Sequence, residues 1–319
     1  MSNIKDIARI AGVSVTTVSR VLNNEPYVSD EKRDAVLRAI EITNYQRNLN
    51  AVNLSKGKTH LIGVVVPFSN HPYFGQLIEG IASEAIKNNY KLVLFQTNYD
   101  EKREMEALNM LKHKQIDSLI ICSRICPLEV IEEFLEYGPV ILCEDTRNTK
   151  LSSTFVDHYK SFTIALEYMY KKGHRNIGYC IGRSSGTNSF QRNLAYKDFL
   201  NKYKLPYNED HIIKKCSYYE DGDRIVQTLM QLKNRPTALL VTSDQVAAGI
   251  LTCCNEKNIV IPNDLAIISF DNQPIAKFMK LTTVEIPLKD IGQKLLIQAL
   301  KNDASQTEMP VKLIERQTV

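Results

Sequence analysis

Hydrophobic positions along the first 45 residues repeat at helical spacing. Ile4, Ile7, Ala8 and Ala11 fall at i, i+3, i+4 and i+7, one apolar face of a short helix. Val18, Val21 and Leu22 repeat the pattern, which puts Thr16, Ser19 and Arg20 together on the opposite, polar face. Val36, Ala39 and Ile40 give a third helix its inward face. From Leu61 the pattern changes. Continuous apolar runs at 61–67, 91–95, 118–122, 139–143, 176–181, 238–242 and 265–270 predict strands. Amphipathic stretches near 73–89, 101–114, 128–136, 159–172, 188–203, 221–233, 245–257 and 288–301 predict helices between and after them. Strands apolar on both faces and joined by helices belong in covered parallel sheets. One sheet of that length is disfavoured, so the expected fold is an N-terminal all-α module followed by an α/β core of two doubly wound parallel-sheet lobes with a cleft between them.

Local chemistry sharpens the first two helices. Asn3 caps the first, with Asp6 in its acidic first turn. Gly12 tolerates the angles that end it, and Ser14 accepts a backbone N–H as the N-cap of the second. Two helices around the three-residue turn Gly12 to Ser14 form a helix-turn-helix, and a second helix with hydroxyls and a guanidinium facing outward suits a DNA major groove. An αα-hairpin whose outer face is merely solvated shares the pattern. Ser29 is placed to cap the third helix, with Asp30 and Glu31 in its first turn, and the helix-turn-helix domain is expected over residues 1–45. Residues 46–60, QRNLNAVNLSKGKTH, read as a polar, basic linker. Asn50, Ala51 and Leu54 nevertheless lie at helical spacing with neither Gly nor Pro across 47–56, so contact can make the segment helical.

Composition narrows the class. At 319 residues the chain exceeds the practical limit of one core, so several domains are expected. Net charge is +4, and residues 1–60 alone carry nine Lys or Arg against six Asp or Glu; most of the excess lies where a phosphate-binding module would use it. The seven cysteines are an odd number without a CxxC pair, which fits reduced thiols in a reducing cytosol better than zinc ligation or disulfides. No secretory leader pattern or membrane-length apolar run is present, so the expected location is cytoplasmic, at the nucleoid.

Ligands of open α/β sheets bind beyond the carboxyl ends of strands. Residues there include Phe68 to Phe74 (FSNHPYF), Glu144 and Asp145, Ser243 and Asp244, and Asp271 and Asn272: acids, amides, hydroxyls and aromatic faces suited to a sugar or nucleobase. Taken singly, each serves equally as a loop contact or helix cap, Asp244 above all. Catalysis is poorly supported. GRSSGT at 182–187 lacks the lysine and spacing of a P-loop, no GxSxG elbow occurs, the six histidines form no metal-spaced motif, and Asp157-His158 has no associated nucleophile. No enzyme activity, cofactor or metal is expected.

The segments IKDIARIAGVSVTTVSRVLN, PYVS (26–29), LSKGKT (54–59) running on to Val64, KKGHRNIGY (171–179), RPTALLVTSD (235–244), IPNDLAIISFDN (261–272) and LTTVEIP (281–287) occur in an order that resembles the lactose/galactose repressor (LacI/GalR) family over nearly the whole chain. That resemblance implies a homodimer whose helix-turn-helix heads bind operator DNA, and a periplasmic-binding-protein-like core over 61–319. In that core an N-lobe spans about 61–158 and 286–305, and a C-lobe about 159–285 and 306–319. By position, Val15, Thr16 and Arg20 would read bases, and Ser14, Thr17 and Ser19 would position the head on phosphates. The linker would become a hinge, with Leu54, beside Ala51, inserting into the minor groove. Arg47 stands where the family usually has proline, and Val52 where a basic residue is common. Effector contacts would be Tyr73, Phe74, Glu144, Arg192, Ser243, Asp244 and Asp271, with Glu144 and Ser243 departing from the family's commoner Asp and Asn. The effector would be a sugar, sugar phosphate or purine. YGPVILCEDT (137–146) and SDQVAAGI (243–250) resemble the catabolite-control subgroup, some members of which respond to a phosphorylated carrier protein. The implied function is a repressor of carbohydrate-related genes; a solute-binding protein of transport is the alternative that shares the core.

Overall fold

The computed structural model describes residues 3–46, 57–301 and 304–319. They fall into two compact units, one ending at Lys58 and one running from Thr59 to Val319. In the first, α1 (Ile4–Ile10), α2 (Val15–Leu22) and α3 (Asp30–Thr43) enclose a core of Ile7, Ala8, Val18, Val21, Val36 and Ala39. A reciprocal cap opens α1. The Asn3 side chain accepts from the N–H groups of Lys5 and Asp6, while the Asp6 carboxylate accepts from the Asn3 N–H at 3.1 Å. Gly12, at φ +66°, turns the chain into α2. Ser29 stands at the N-cap of α3 but makes no capping bond with its side chain.

The second unit holds two six-stranded sheets. The strands in chain order are β1 (Leu61–Val66), β2 (Lys91–Gln96), β3 (Ser118–Ile121), β4 (Val140–Leu142), β5 (Ser152–Phe155), β6 (Ile177–Ile181), β7 (Ile212–Lys214), β8 (Ala238–Val241), β9 (Ala266–Asp271), β10 (Thr282–Glu285), β11 (Gln306–Glu308) and β12 (Lys312–Ile314). One sheet has the order β11-β5-β4-β3-β1-β2 and the other β12-β10-β9-β8-β6-β7. Every pairing is parallel except β10 with β12. Both faces are covered, as the apolar runs require. Ile62, Val64 and Val66 pack on one side of β1, Val65 on the other with Leu108 and Leu111.

The chain crosses between sheets after β5, returns after β10 through the helix Leu288–Lys301, and crosses again after β11. β11 pairs with β5, so the last crossing follows Glu308, and residues 306–308 belong to the first lobe rather than the second. Gln298 fixes this register by donating to the carbonyls of Ser153 and Ser305. Close helix packing then sets the cleft wall. A Cβ on Gly80 would lie 2.1 Å from the Lys289 carbonyl oxygen, and one on Gly292 would lie 2.3 Å from that of Leu77. Only glycines let the helices Pro72–Lys87 and Leu288–Lys301 touch backbone to backbone, and this fixes the N-terminal turn that carries Tyr73 and Phe74.

Candidate functional site

The head presents the surface its sequence implied. Val18 and Val21 are buried, whereas Val15, Thr16 and Arg20 are exposed on the other face of α2. Ser14 caps α2 by accepting the Thr17 N–H at 3.1 Å, and the Ser14 and Thr17 hydroxyls lie 3.0 Å apart. These two hydroxyls therefore already hold the helix start, while Ser19 Oγ accepts from Asn23 Nδ2 at 3.5 Å. Arg20 Nε sits 3.7 Å from Glu25 Oε2, with both side chains about half exposed. Such a surface pair is worth at most about 1 kcal/mol, so the guanidinium is held outward at small cost to its release. Ala51 and Leu54, together with Arg47 and Val52, lie outside the described residues.

Between the two sheets of the core lies a cavity of about 170 Å³ at the carboxyl ends of the strands. Tyr73, Phe74, Glu144, Arg192, Ser243 and Asp271 all line it, so the structure brings together six of the seven expected effector contacts. Tyr73 and Phe74 meet edge to face at 5.1 Å, and burial pushes the Tyr73 phenol well above its usual range. Arg192 Nη2 donates to His158 Nδ1 at 3.2 Å, while its buried Nε has no hydrogen-bond partner. Burial and that guanidinium hold His158 well below the ordinary imidazole range, so the ring is neutral and accepts. The buried Ser243 Oγ likewise has no partner.

Asp271 ends β9 at φ +102°, a region L side chains rarely adopt. Its carboxylate, 6% exposed, accepts a bond from Gln273 Nε2 at 3.2 Å. Burial and the neighbouring Asp244 push its pKa well above the carboxylate range. Glu144 is held by Arg124 Nε, and burial outweighs that cation in pushing its carboxyl upward.

Asp244 is the seventh expected contact, and the structure places it elsewhere. It is fully buried behind the cavity wall, where it accepts from Ser269 Oγ, from Thr283 Oγ1 at 2.8 Å and from the Gln273 N–H at 2.6 Å. Ser243, at the N-cap of the helix Asp244–Glu256, lines the cavity, whereas Asp244 beside it does not. Asp145 pairs with Arg147, and Asn272 with Glu285 and Arg316, outside the cavity.

Two lining arginines, Arg124 and Arg183, are not among the residues the sequence pointed to. Arg124 follows β3 and donates to Thr187 Oγ1 across the cleft at 3.1 Å. Arg183, in the GRSSGT loop, donates to the Arg124 carbonyl at 2.9 Å and stacks on Tyr99 at 4.2 Å. His71 and Phe68, in the FSNHPYF stretch the sequence did point to, meet Tyr218 of the other lobe at 5.8 Å and 6.4 Å. The rule that pointed to Glu144 and Asp271, position just beyond a strand, applies equally to Arg124 and Arg183.

No helix among the described residues is long and apolar enough to cross a membrane, and no group of three or more potential metal ligands occurs among them. All seven cysteines are free thiols.

Comparison with known proteins matches residues 3–48 to the bacterial regulatory proteins of the lacI family, and residues 59–316 to the periplasmic binding proteins and sugar binding domain of the LacI family. The uncharacterized HTH-type transcriptional regulator YkvZ of Bacillus subtilis (strain 168) is 41% identical over 323 residues, covering 100% of both chains. The NTD biosynthesis operon regulator NtdR of the same organism is 37% identical, again over 100% of both. A solved structure of a LacI family transcriptional regulator from Lactobacillus casei with bound glucose aligns with a TM-score of 0.74 at 26% identity, covering 81% of this chain and 99% of that one. These relatives are transcription regulators rather than enzymes. A helix-turn-helix head, a two-lobed core around a polar cavity and similarity running the full length of known regulators make this chain a member of the LacI family of bacterial regulatory proteins.

Proposed function

We propose that the chain is a transcriptional repressor of carbohydrate-related genes, acting in the cytoplasm as a homodimer on operator DNA, with a small polar molecule in the core cavity setting its operator affinity. The observation that carries this reading is the cavity itself. Arg192 Nε and Ser243 Oγ are buried without partners beside the strained, buried Asp271, in a chain that also carries a DNA-reading head. Unpaired buried polar atoms cost about 1–3 kcal/mol each, and a ligand bearing hydroxyls satisfies all three groups together. The glucose-bound Lactobacillus casei regulator supports a sugar-like ligand in a core of this shape.

In the head, Arg20 takes a guanine edge, Thr16 hydrogen-bonds a neighbouring base and Val15 meets a thymine methyl, while Thr17 and Ser19 lie beside the phosphates. Control works by population shift. A ligand that binds one arrangement of the lobes better than the other changes that equilibrium, and segment 46–60, including Ala51 and Leu54, passes the change to the heads.

The test is Asp271→Ala in the full-length protein. Operator binding without effector stays as in the parent, and the response to an effector found by thermal-shift screening disappears. A variant that still responds fully removes Asp271, and with it the cavity, from effector control.

A further inference from the structure

Charge in the cavity is unbalanced. Its lining holds three guanidinium groups, Arg124, Arg183 and Arg192, against two carboxylates, Glu144 and Asp271. The imidazoles in and behind the lining do not alter the balance: burial lowers the pKa of His71, and that of His158 behind Arg192, so both favour the neutral form. Glu144 is engaged chiefly by Arg124, and it also feels the more distant Arg183 and the Thr187 hydroxyl. Among the described residues Arg183 has no carboxylate within ion-pair distance. Its contacts are Ser185 Oγ at 3.0 Å, the Arg124 carbonyl and the face of Tyr99. Arg192 is likewise without an ion pair, and its Nε is unbonded. Burial also pushes both carboxyls toward their neutral forms, which deepens the positive excess. Cations held in a poorly solvated cleft are costly unless an anion meets them.

The same cavity receives the N-terminus of the 17-residue helix Thr187–Tyr203. Its cap is Gly186 at φ +94°, without a side-chain capping bond, and its first turn carries no acidic residue. Elsewhere in the core, Asp100 and Asp157 supply carboxylate caps to their helices. Here the first-turn N–H groups and the Arg183 guanidinium converge on the cavity, and Ser189 Oγ donates to the Arg183 carbonyl at 2.6 Å, tying the loop to the helix. Helix N-termini and guanidinium forks are both suited to phosphate and carboxylate oxygens. Independently of the helix, Ser243, only 4% exposed and with its Oγ unpartnered, lines the same cavity.

We propose that the effector is an anionic polyol, a phosphorylated sugar or a sugar acid, whose hydroxyls meet Asp271, Ser243 and Arg192 and whose anionic group is received by Arg183 at the N-terminus of the helix Thr187–Tyr203. This rests on the cavity being the effector site. An anion is preferred over a neutral hexose because the one carboxylate near Arg183 and the helix terminus, Glu144, is already engaged by Arg124 and is pushed by burial toward its neutral form.

The experiment is calorimetric titration of the full-length protein with matched sets: glucose, glucose 6-phosphate and gluconate; fructose and fructose 6-phosphate; ribose, ribose 5-phosphate and ribonate. In at least one set the anionic member binds at least about tenfold more tightly than its neutral partner. The phosphate and carboxylate arms identify which anion is selected. Arg183→Gln reduces the preference to within about threefold, weakening the anionic member much more than its neutral partner, and Arg183→Lys, which keeps the charge but not the fork, restores part of it. The proposal is overturned if neutral sugars bind as well as their anionic partners, if no anionic member binds, or if Arg183→Gln leaves the preference intact. A neutral sugar that binds and changes operator affinity removes this inference but leaves the cavity as effector site. A ligand whose binding is indifferent to Asp271→Asn and does not change operator affinity removes the effector-site reading instead.

Discussion

Replacing Asp244 by alanine separates a structural carboxylate from a ligand-binding one. The substitution leaves the Thr283 hydroxyl and the Gln273 N–H without their acceptor, whereas Ser269 Oγ retains the Thr282 carbonyl at 3.4 Å. Two orphaned buried donors cost about 1–3 kcal/mol each, so roughly 4 kcal/mol together. Against this, burial has pushed the Asp244 pKa from 3.8 up to about 6. At about 1.4 kcal/mol per unit, the ionised side chain costs the folded parent about 3 kcal/mol at neutral pH that the alanine variant does not incur. The net loss at pH 7 is about 1–2 kcal/mol.

The sign of the pH dependence follows from the direction of the shift. A carboxyl whose pKa is higher folded than unfolded favours the folded chain when protonated. The parent therefore gains stability as pH falls through about 6, the gain is complete below about 4, and it is lost again as pH rises. The variant lacks this gain, which is about 1.3 kcal/mol between pH 7 and pH 5, so its deficit widens in acid, to about 2–3 kcal/mol at pH 5. With about 2–4 °C of Tm per kcal/mol for a unit of this size, the Tm deficit is about 2–8 °C at pH 7 and about 4–12 °C at pH 5. Differential scanning fluorimetry at the two pH values reads it directly. A deficit that shrinks in acid refutes the buried-charge argument. An unchanged Tm together with a lost effector response would return Asp244 to the cavity wall.

Arg20→Ala should lower specific operator affinity by about 1–3 kcal/mol while nearly sparing random DNA, as read by fluorescence anisotropy on both; an equal loss on the two would show a phosphate role instead. Ser14→Ala removes the cap of α2 and should cost the head about 1 kcal/mol, visible as faster amide exchange in α2, with no change there counting against the capping geometry. Leu54→Ala should reduce operator bending in a phased-bend electrophoresis assay, and an unaltered bend would remove the minor-groove wedge.

Much of the core was legible because its central strands are continuous apolar runs, buried on both faces, which no loop tolerates. The strands that hydropathy missed are short edges or buried polar segments. β5 and β10 are the clearest cases: Ser153, Thr154, Thr282 and Thr283 are fully buried, yet they read as polar. Their hydroxyls are satisfied by partners far along the chain, Thr154 by Gln298 and Thr283 by Asp244, and no local pattern reports such pairing. The cavity residues followed from their places at strand ends, but that rule does not say which of two neighbours faces inward; hence Ser243 and Asp244 were grouped together when only Ser243 lines the cavity. Arg124 and Arg183 were passed over because a loop arginine is ordinarily solvated; here Tyr99, Glu144 and Thr187 hold them in the cleft.

The central claim is that ligand binding in the core and operator binding by the head are energetically coupled. Coupling is reciprocal, so it is tested most directly by measuring both sides of the cycle on one full-length preparation: operator Kd with and without a saturating cavity ligand, and ligand Kd with and without saturating operator. A change of about tenfold, equal in the two measurements and absent in Asp271→Ala, is the predicted result. A ligand that binds the cavity tightly yet leaves operator Kd unaltered would contradict the account.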